Sequence, residues 1–470
     1  MKDQKTISIA GAALATEERA PAESMALVIA WCADEPERIG EVALFAERGA
    51  LQVLGRGDGD GELRVRFSRQ RPSRLTPTEP LSGLPLSRRQ LTVKPNGGKL
   101  EIENVGRCAL LVNGVPMDKA SVVPGDTVLL RGQLLLYCVR RVPSIPKVVY
   151  FTEKSHGTFG EPDGVGILGE APGVWQMRER IAFAANTGKH VLFYGASGTG
   201  KELAARAVHE LSPRAGKPFV SRNAATLPAG LIDAELFGNA KNYPNPGMAE
   251  RGGLIGQADT GTLFLDEIAE IPLEQQAHLL RVLDADGEYQ RLGEATTRRS
   301  NFVLVAATNR DMSALKHDFA ARFTLRTELP PLDARREDIP LLVRHLLLLA
   351  AKKSPQIGER FLREGRGGRL DPRVDPALIQ ELLSRDYETH IRELDALLWR
   401  AMAGSSGDTV LLTDELRVER NRSAGPDAEQ IRAAIKNAGS VQNAARALGL
   451  KSRYALYRMM KKHGIEADEE

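Results

Sequence analysis

The sequence predicts a multidomain protein with a β-sandwich first, an α/β domain with a helical subdomain next, and a small all-α domain last. Three observations support this order. Short apolar runs broken by Gly, Pro and Asp fill residues 26–142, apolar strands alternate with helical patterns over 165–335, and helical patterns follow over 336–420 and 429–466. The remaining stretches are predicted to be an N-terminal tail, 1–25, and two linkers, 143–164 and 421–428.

Length, charge and cysteine content limit the classes of protein to consider. The chain has 470 residues, enough for about three domains of ordinary size, and 42% of them are hydrophobic. A formal net charge of +3 is too small to indicate nucleic-acid binding by the whole chain. The three cysteines, an odd number without metal-ligand spacing, predict reduced thiols and a cytoplasmic protein. No apolar run is long enough to cross a membrane, so no membrane partner is expected.

The β-sandwich is predicted from short apolar runs separated by turn signals. Asn113-Gly114 and Pro124-Gly125-Asp126 are typical of tight turns. Such spacing of short runs and turns favours an all-β sandwich. The candidate strands are 51–54, 98–103, 109–112, 127–131 and 134–139.

A phosphate-binding loop is the most specific motif in the chain. The apolar run 191–194 predicts a strand and 203–211 predicts a helix, with a glycine-rich turn between them. In such a turn, backbone N–H groups close around phosphate oxygens, and the helix N-terminus adds a favourable dipole. Lys201 would reach the β- and γ-phosphates of a nucleoside triphosphate. The candidate nucleotide-binding residues are Gly195, Ser197, Gly198, Thr199, Gly200, Lys201 and Glu202.

Acidic residues follow a second apolar strand downstream of this loop. The run 261–265 ends at Asp266 and Glu267. An Asp in this place can hold Mg²⁺ beside the phosphates, and the adjacent Glu can polarise an attacking water. A further strand, 302–308, ends at Asn309, which could hydrogen-bond the γ-phosphate or position the water. These polar residues are candidate catalytic groups.

The stretch from about 166 to 412 resembles the AAA+ domain of bacterial enhancer-binding proteins, the activators of sigma-54 RNA polymerase. The resemblance implies an α/β AAA+ P-loop ATPase with a helical lid, with ATP and Mg²⁺ as cofactors. It also implies a homo-oligomeric ring, with a hexamer as the expected form. The order and spacing of the matching segments make the resemblance specific. These segments are 195–202, 235–238, 261–268, 306–311, 329–332 and 392–394.

The resemblance implies roles for individual residues. Lys201 would bind phosphate, Asp266 would hold Mg²⁺ and Glu267 would activate water. Asn223 falls where the family has the asparagine that restrains this glutamate. Arg392 would be the lid arginine that senses the nucleotide.

The resemblance also implies a role for Arg322, and some nearby positions depart from the family pattern. Arg322 would be the trans-acting arginine finger that stabilises transition-state charge in a neighbour's site, although the residues alone also allow a surface ion pair. Its usual partner arginine falls on Lys316, which keeps the charge but loses the planar fork. In the phosphate loop Glu202 replaces the usual Ser/Thr, so metal binding depends more on Asp266, and Ala196 stands where the family usually has Glu.

The largest departure lies in the loop through which the family contacts sigma-54. The family motif is Gly-Ala-Phe-Thr-Gly-Ala, whereas residues 242–247 are Asn-Tyr-Pro-Asn-Pro-Gly. Each proline fixes φ and removes an N–H donor. Tyr243 could replace the aromatic contact of the family, or it could only pack the loop. Direct remodelling of sigma-54 holoenzyme and action without a sigma-54 contact therefore both remain open.

The C-terminal region has the charge and the helical spacing of a DNA-binding domain. Residues 430–465 contain eight basic residues and no Asp or Glu, so a phosphate backbone is the natural partner. Helical patterns over 428–437, 441–448 and 453–462 have helix-turn-helix spacing. The region resembles the Fis-type domain that ends this family, which implies double-stranded DNA as a partner. The candidate DNA-binding residues are Ser452, Arg453, Tyr454, Arg458, Lys461 and Lys462.

The N-terminal sandwich resembles the forkhead-associated (FHA) domain, which binds phosphothreonine from its loops. The segments that carry the resemblance are 54–57, 87–90, 104–106 and 112–114. Arg56 would pair with phosphate, and Ser87 and Arg88 would add hydrogen bonds. Gln90 replaces the usual His, and Cys108-Ala109 replace a peptide-gripping Asn-Gly. Binding of a phosphothreonine protein and simple docking of another protein both remain open.

Three hypotheses follow from these motifs. The first is an ATP-driven, DNA-binding transcriptional activator that remodels RNA polymerase with sigma-54 under control of the sandwich. The second is a DNA-binding regulator in which ATP controls only assembly or conformation, acting on another polymerase form or as a repressor. The third, a phosphopeptide-docking protein with a vestigial ATPase, conflicts with the presence of Lys201, Asp266 and Glu267.

Overall fold

The structure is a computed structural model. It describes residues 23–59, 61–283, 287–365, 368–417 and 428–438, and the single positions 444, 447, 448, 456 and 460.

Twelve strands between residues 24 and 141 form two antiparallel sheets of eight and four strands. The larger sheet has the order β5-β4-β2-β1-β12-β11-β8-β9, and the smaller one has the order β10-β7-β6-β3. The strands are β1 (Ser24–Cys32), β2 (Val42–Phe45), β3 (Gln52–Leu54), β4 (Ser68–Arg71), β5 (Arg74–Pro77), β6 (Leu91–Asn96), β7 (Lys99–Asn104), β8 (Leu110–Val112), β9 (Val115–Pro116), β10 (Lys119–Val122), β11 (Thr127–Leu130) and β12 (Leu134–Arg141).

Side-chain alternation along the strands explains how the two sheets form a sandwich. Leu134 and Leu136 of β12 point into the core between the sheets, where Leu91 and Leu100 of the smaller sheet meet them. The intervening Leu135 points to the opposite face and is also fully buried. The larger sheet is therefore covered on both faces over part of its area.

The α/β domain is built on a five-stranded parallel sheet in the order β14-β15-β18-β13-β19. Leu192 of β13 packs on one face of the sheet, whereas Val191 and Phe193 pack on the other, so helices cover both faces. The strands are β13 (Val191–Tyr194), β14 (Phe219–Asn223), β15 (Thr262–Asp266), β18 (Val303–Thr308) and β19 (Leu325–Glu328), with a separate hairpin of β16 (Glu288–Tyr289) and β17 (Arg298–Arg299). The helices are α1 (Pro172–Thr187), α2 (Lys201–Glu210), α3 (Ile232–Phe237), α4 (Gly253–Gln257), α5 (Leu273–Leu283) and α6 (His317–Ala321).

The helical subdomain, the lid, follows β19. A small hairpin of β20 (Leu362–Glu364) and β21 (Leu370–Pro372) interrupts the helices that the sequence predicts there. The helices are α7 (Ile339–Lys353), α8 (Pro355–Phe361), α9 (Pro376–Ser384) and α10 (His390–Gly404). Single 3₁₀ segments lie at Pro36–Arg38, Glu153–Ser155, Ala224–Thr226, Ala229–Leu231, Ile268–Glu270, Met312–Ala314 and Leu332–Asp338.

The segment 143–164, predicted as a linker, packs closely on the α/β domain. Ile145 and Phe151 are buried in its core. Asp163 Oδ2 accepts a hydrogen bond from Arg178 Nε at 2.7 Å, and both side chains are buried. The segment connects the two domains, but it is not a free tether.

The C-terminal helix α11 (Ala428–Ala438) lies where the sequence predicts the first helix of the DNA-binding region. Ile431 shares a small buried cluster with Ala444, Leu456 and Met460. These four positions fall on the three predicted helices, one or two on each.

Candidate functional site

The phosphate loop connects β13 to α2, as predicted. Gly198 and Gly200 have φ values of +80° and +100°, a backbone region that favours glycine. Lys201 begins α2, and its Nζ donates to the carbonyl oxygens of Gly195 (2.9 Å) and Ala196 (3.0 Å). Burial lowers the pKa of Lys201, and the nearby carboxylates of Glu267 and Asp266 oppose that shift.

The predicted acidic residues lie where β15 ends. Asp266 Oδ1 accepts a hydrogen bond from the backbone N–H of Glu267 at 3.0 Å. Glu267 has a left-handed backbone (φ +51°), and its Oε2 accepts the N–H of Asn309, the residue after β18, at 3.2 Å. Because parallel strands end at the same edge of a sheet, the chain folds these groups toward Lys201.

Asn223 and Glu202 lie beside this cluster but make other contacts. Asn223 is paired in register with Asp266 on the adjacent strand, and its Oδ1 accepts the N–H of Ala225 at 2.9 Å. Glu202 forms an exposed ion pair with Arg206 at 3.0 Å on α2. Asp266 and Glu267 present carboxylate oxygens, the hard ligands that Mg²⁺ prefers, where β15 ends.

The lid contacts the phosphate loop directly. Arg392 Nη1 donates to Ser197 Oγ at 2.8 Å, and the N–H of Ile391 donates to the Gly198 carbonyl at 3.3 Å. A Cβ atom at Gly198 would collide with the carbonyl oxygen of Thr389. The predicted lid arginine is therefore part of the site.

A cavity of about 200 Å³ opens beside the loop, between the α/β domain and the lid. Thr199 and Gly200 form one wall of it, and its other walls are mostly apolar. Sequence reasoning missed this cavity because its lining comes from segments far apart in the chain. The lining residues outside the loop include Ile167, Leu168, Met177, Arg335, Leu342, His345, Leu346 and Ile391.

Two polar residues of this cavity lack the usual solvation. Arg335 is 5% exposed, and no described residue accepts a hydrogen bond from its Nε. Burial lowers the pKa of His345. A mostly apolar cavity with a few polar groups beside a phosphate loop can hold a nucleobase.

Arg322 lies directly after α6, with its side chain exposed. Lys316 precedes the same helix, and its N–H donates to Gln276 Oε1 at 2.8 Å. Lys316 and Arg322 therefore flank the same short helix, one at each end.

The loop that departs from the family motif is closed by its own hydrogen bonds. Asn239 Nδ2 donates to the carbonyls of Ala240 (2.9 Å), Tyr243 (3.3 Å) and Ala249 (3.1 Å). The Tyr243 ring lies against Gly293, which belongs to the second loop between β16 and β17, and Tyr243 remains 41% exposed. We call residues 239–249 and 290–294 together the two-loop platform.

In the sandwich, a buried arginine that sequence reasoning missed joins the predicted phosphate-binding loops. Arg64 donates to the carbonyls of Arg88 (2.8 Å), Arg56 (3.0 Å) and Gly57 (2.8 Å). The N–H of Arg56 donates to the carbonyl of Ser87 at 3.1 Å, and no described residue accepts from Arg56 Nε, which is buried. The structure therefore brings Arg56, Ser87 and Arg88 together.

Gln90, which stands in place of the usual His, also holds these loops. Its Oε1 accepts the N–H of Ser87 at 3.2 Å, and its Nε2 donates to Asn104 Oδ1 at 2.8 Å. Ser87 Oγ is engaged by the N–H of Arg107 at 3.0 Å. The amide of Gln90 fixes the backbone on which Ser87 and Arg88 are presented.

Several predicted features lie outside this part of the structure. The predicted DNA-binding residues Ser452, Arg453, Tyr454, Arg458, Lys461 and Lys462 are not among the described residues.

The three cysteines carry free thiols. Within the described ranges, the helices are all too short or too polar to cross a membrane, and there is no cluster of three or more His, Cys, Asp or Glu suited to a metal ion.

Comparisons with known proteins place this site in a family. The family model named Sigma-54 interaction domain matches residues 167–330. The DNA-binding transcriptional regulator NtrC of Klebsiella pneumoniae is 34% identical over 332 residues, which are 64% of this chain and 70% of NtrC. The Nif-specific regulatory protein of Azotobacter vinelandii is 36% identical over 321 residues, which are 62% of this chain and 58% of that protein.

Two further similarities were found. The formate hydrogenlyase transcriptional activator of Salmonella typhimurium is 33% identical over 332 residues, 66% of this chain and 45% of that protein, so the chain spans about half the length of such relatives. Among solved structures, NtrX from Brucella abortus in complex with ATP has 28% sequence identity to this chain. The similarity covers 64% of this chain and 69% of the NtrX chain, with a TM-score of 0.45.

The parallel sheet, the phosphate loop and the lid define a P-loop ATPase of the AAA+ class. The chain belongs to the family of transcriptional regulators that carry the sigma-54 interaction domain.

Proposed function

We propose that the chain is an ATP-hydrolysing, DNA-binding transcriptional regulator that remodels RNA polymerase with sigma-54 under control of an FHA-like sensor. The observation that carries this proposal is that Lys201 of the phosphate loop lies near the carboxylates of Glu267 and Asp266, while Arg392 of the lid donates to Ser197 of the same loop. The loop and both carboxylates lie within residues 167–330, which match the family model. The activity and partners of the whole protein are inferred from this domain together with the chemistry of the flanking regions.

ATP hydrolysis is assigned to the described residues by their chemistry. Lys201, released from the loop carbonyls, would pair with the β- and γ-phosphates. Asp266 would hold Mg²⁺, which when bound neutralises phosphate charge. Glu267 would take up the proton of the attacking water while the backbone of Asn309 holds its carboxylate. The nucleobase would occupy the apolar cavity, and Arg392 would exchange Ser197 for phosphate.

Hydrolysis would be completed by a second subunit. Arg322 is exposed at the end of α6, where it could reach a neighbouring subunit's nucleotide in a ring. An arginine supplied in trans stabilises charge on the transferred phosphoryl group. This requirement calls for a homo-oligomer, and the family resemblance favours a ring, expected to be a hexamer.

The sandwich is assigned as an FHA-like sensor for a phosphothreonine protein. Arg56 has a buried Nε without a described partner and lies beside Ser87 and Arg88, so the loops offer several donors to one phosphate. An Arg56→Ala variant should lose selectivity for a phosphothreonine peptide over its plain form. The matched control is Arg74→Ala, at an exposed position of β5. Equal binding of both peptides by the wild type would rule this sensor out.

DNA binding is assigned to residues 429–466 on their charge. The cluster of Ile431, Ala444, Leu456 and Met460 is what three short helices around one core require. Ser452, Arg453, Tyr454 and Arg458 would lie at the groove, and Lys461 and Lys462 near phosphates. A Lys461→Ala variant should bind duplex DNA more weakly and with a smaller salt dependence.

The second candidate function is regulation without a sigma-54 contact. It is favoured by the two-loop platform, in which Asn239 closes the 242–247 segment and Tyr243 rests on Gly293. In this case ATP would control only assembly or conformation, and the target would be another polymerase form.

Transcription in vitro from a matched promoter separates the two candidates. Sigma-54 holoenzyme should give ATP-dependent transcripts with the wild type and none with Lys201→Ala or Glu267→Ala. The Lys201 variant should not bind nucleotide, and the Glu267 variant should trap bound ATP. The matched control is Lys189→Ala, an exposed lysine before β13. ATP turnover without any sigma-54-dependent transcript would favour the second candidate.

A further inference from the structure

Residues 389–392, at the start of α10, contact the phosphate loop at three points. The Thr389 carbonyl lies where a Cβ of Gly198 would be, the N–H of Ile391 donates to the Gly198 carbonyl, and Arg392 reaches Ser197. Between Thr389 and Ile391 stands His390. All three contacts therefore depend on the backbone conformation of that residue.

His390 is held in an unfavourable state. Its φ is +48°, in the left-handed region that residues other than glycine seldom adopt. Its side chain is 5% exposed, and no described residue hydrogen-bonds its Nδ1, which lies 4.0 Å from Asp333 Oδ2. Backbone strain and an unpaired buried nitrogen both cost free energy, and such costs concentrate at functional sites.

The surrounding contacts keep the turn in place. Glu393 Oε2 accepts the N–H groups of Glu388 (2.8 Å) and Thr389 (3.1 Å), which fixes the chain on the N-terminal side of His390. Because α10 begins at His390 itself, the chain must change direction at this one residue. A right-handed conformation at His390 would turn either the Thr389 carbonyl or the Arg392 side chain away from the loop.

We propose that His390 is a positioning residue that sets Arg392 on the phosphate loop through its left-handed turn. The inference rests on the proposed role of Arg392 in ATP hydrolysis and adds the residue that controls it. It predicts that the turn, and not the imidazole, is what the site requires.

The first test compares substitutions that permit the turn with one that forbids it. His390→Val should lower kcat for ATP and weaken ATP binding by about tenfold each, because a β-branched residue resists positive φ. His390→Gly and His390→Asn, which tolerate the turn, should restore most of that loss. If Gly and Val variants are equally impaired, the imidazole matters and the inference is wrong.

A matched control separates positioning from general destabilisation. Ser73 has a similar φ of +54° in the turn between β4 and β5 of the sandwich. Ser73→Val should lower the thermal midpoint about as much as His390→Val but leave ATP binding and turnover unchanged. Loss of ATP binding in both variants would mean that strain acts through global stability, which contradicts the proposal.

The second test asks whether His390 acts through Arg392. In an Arg392→Ala background, His390→Val should add no further loss, because there is nothing left to position. If the two substitutions instead act independently, so that their losses of ATP binding and turnover multiply, the inference is wrong. If Arg392→Ala alone resembles the wild type, the assignment of the lid arginine fails and the inference fails with it. A wild type that binds ATP without turnover would refute the proposed ATPase function alone, since ATP affinity still tests the positioning role.

Discussion

His190 precedes the strand that enters the phosphate loop and is a partly buried base. Its Nδ1 accepts the N–H of Leu304 at 3.0 Å. Burial, with smaller contributions from Lys189 and Arg214, lowers its pKa to about 4. The unfolded chain titrates near the ordinary value of about 6.5. Between these values the unfolded state binds a proton that the folded state does not, so the free energy of unfolding falls as the pH decreases.

We expect a His190→Asn variant to resist acid better than the wild type. The Asn Oδ1 can accept the same backbone N–H but does not titrate. From pH 7.5 to pH 5 the wild type should lose about 2 kcal/mol more of its unfolding free energy than the variant. Urea unfolding at the two pH values measures this difference. A control variant, His317→Asn, at a side chain that is 97% exposed, should follow the wild type. Parallel losses in all three proteins would contradict the expectation.

Arg64 is a second residue whose role depends on its own geometry. The residue is 8% exposed, and its guanidinium donates to three carbonyls on two loops, which a single ammonium cannot do equally well. Arg64→Lys should therefore loosen residues 55–57 and 87–88 and raise the amide exchange rate of Arg56 by about tenfold. Hydrogen exchange of the whole protein tests this. Arg66→Lys, whose ion pair with Asp58 is exposed, should leave these rates unchanged.

At the scale of elements, the two-loop platform behaves as one unit. The N–H of Ala240 donates to the Leu292 carbonyl, and the N–H of Leu292 donates to the Gly238 carbonyl, both at 2.9 Å. Arg291 of the second loop also pairs with Glu250, the residue that follows the first loop. A Cβ at Gly293, whose φ is +74°, would collide with the Tyr243 ring. The platform therefore presents Tyr243 in a fixed position.

A Gly293→Ala variant should displace Tyr243 without affecting the nucleotide site. We expect ATP turnover within about twofold of the wild type and loss of any partner contact that Tyr243 makes. For each variant, binding to sigma-54 would be measured together with the quenching of tyrosine fluorescence, which reports on the environment of Tyr243. Gly247→Ala, at a φ of +90° with open space around it, is the matched control for backbone strain. Unchanged binding by Gly293→Ala would show that the position of Tyr243 does not matter to that partner.

The elements that the sequence predicted are those with local patterns. The glycines of the phosphate loop and the acids after β15 sit close to their strands in the sequence, so pattern and structure agree. The cavity beside the loop could not be predicted, because Ile167 and His345 meet only after folding. Arg64 was missed for the same reason, since its carbonyl partners are contributed by two loops. The DNA-binding residues and the phosphothreonine pocket stay predictions.

At the scale of the whole molecule, the sandwich and the lid share a core. The outer face of the larger sheet, with Leu135 and Tyr137, packs in one cluster with Leu341 and Leu378 of the lid. Trp31 Nε1 donates to the Val374 carbonyl at 3.0 Å. The outer face of β12 is therefore apolar because it packs against the lid, and the sequence of β12 alone does not reveal this reason. If the sandwich is the proposed sensor, this shared core gives its signal a direct physical route to the lid.

Arg141, at the end of β12, is the central polar contact of this interface. It is 2% exposed and donates to Glu337 Oε2 at 3.0 Å, to Gln70 Oε1 at 3.1 Å and to the Glu170 carbonyl at 3.2 Å. Glu337 belongs to the 3₁₀ segment Leu332–Asp338 that precedes α7, and the same segment supplies Arg335 to the cavity. The ion pair therefore joins the sandwich to the segment that lines the cavity beside the phosphate loop.

We expect Arg141→Met to destabilise the protein by roughly 3–5 kcal/mol, because it leaves the carboxylate of Glu337 almost buried without a partner. In the double variant with Glu337→Gln both charges are gone, so part of the loss should return, with a coupling free energy of about 1–3 kcal/mol. Denaturant unfolding of the four proteins gives this coupling directly. Arg140→Met, at the exposed neighbouring position, should show no coupling to Glu337→Gln. If Arg141 and Glu337 also fail to couple, the sandwich is not held to the lid through this pair.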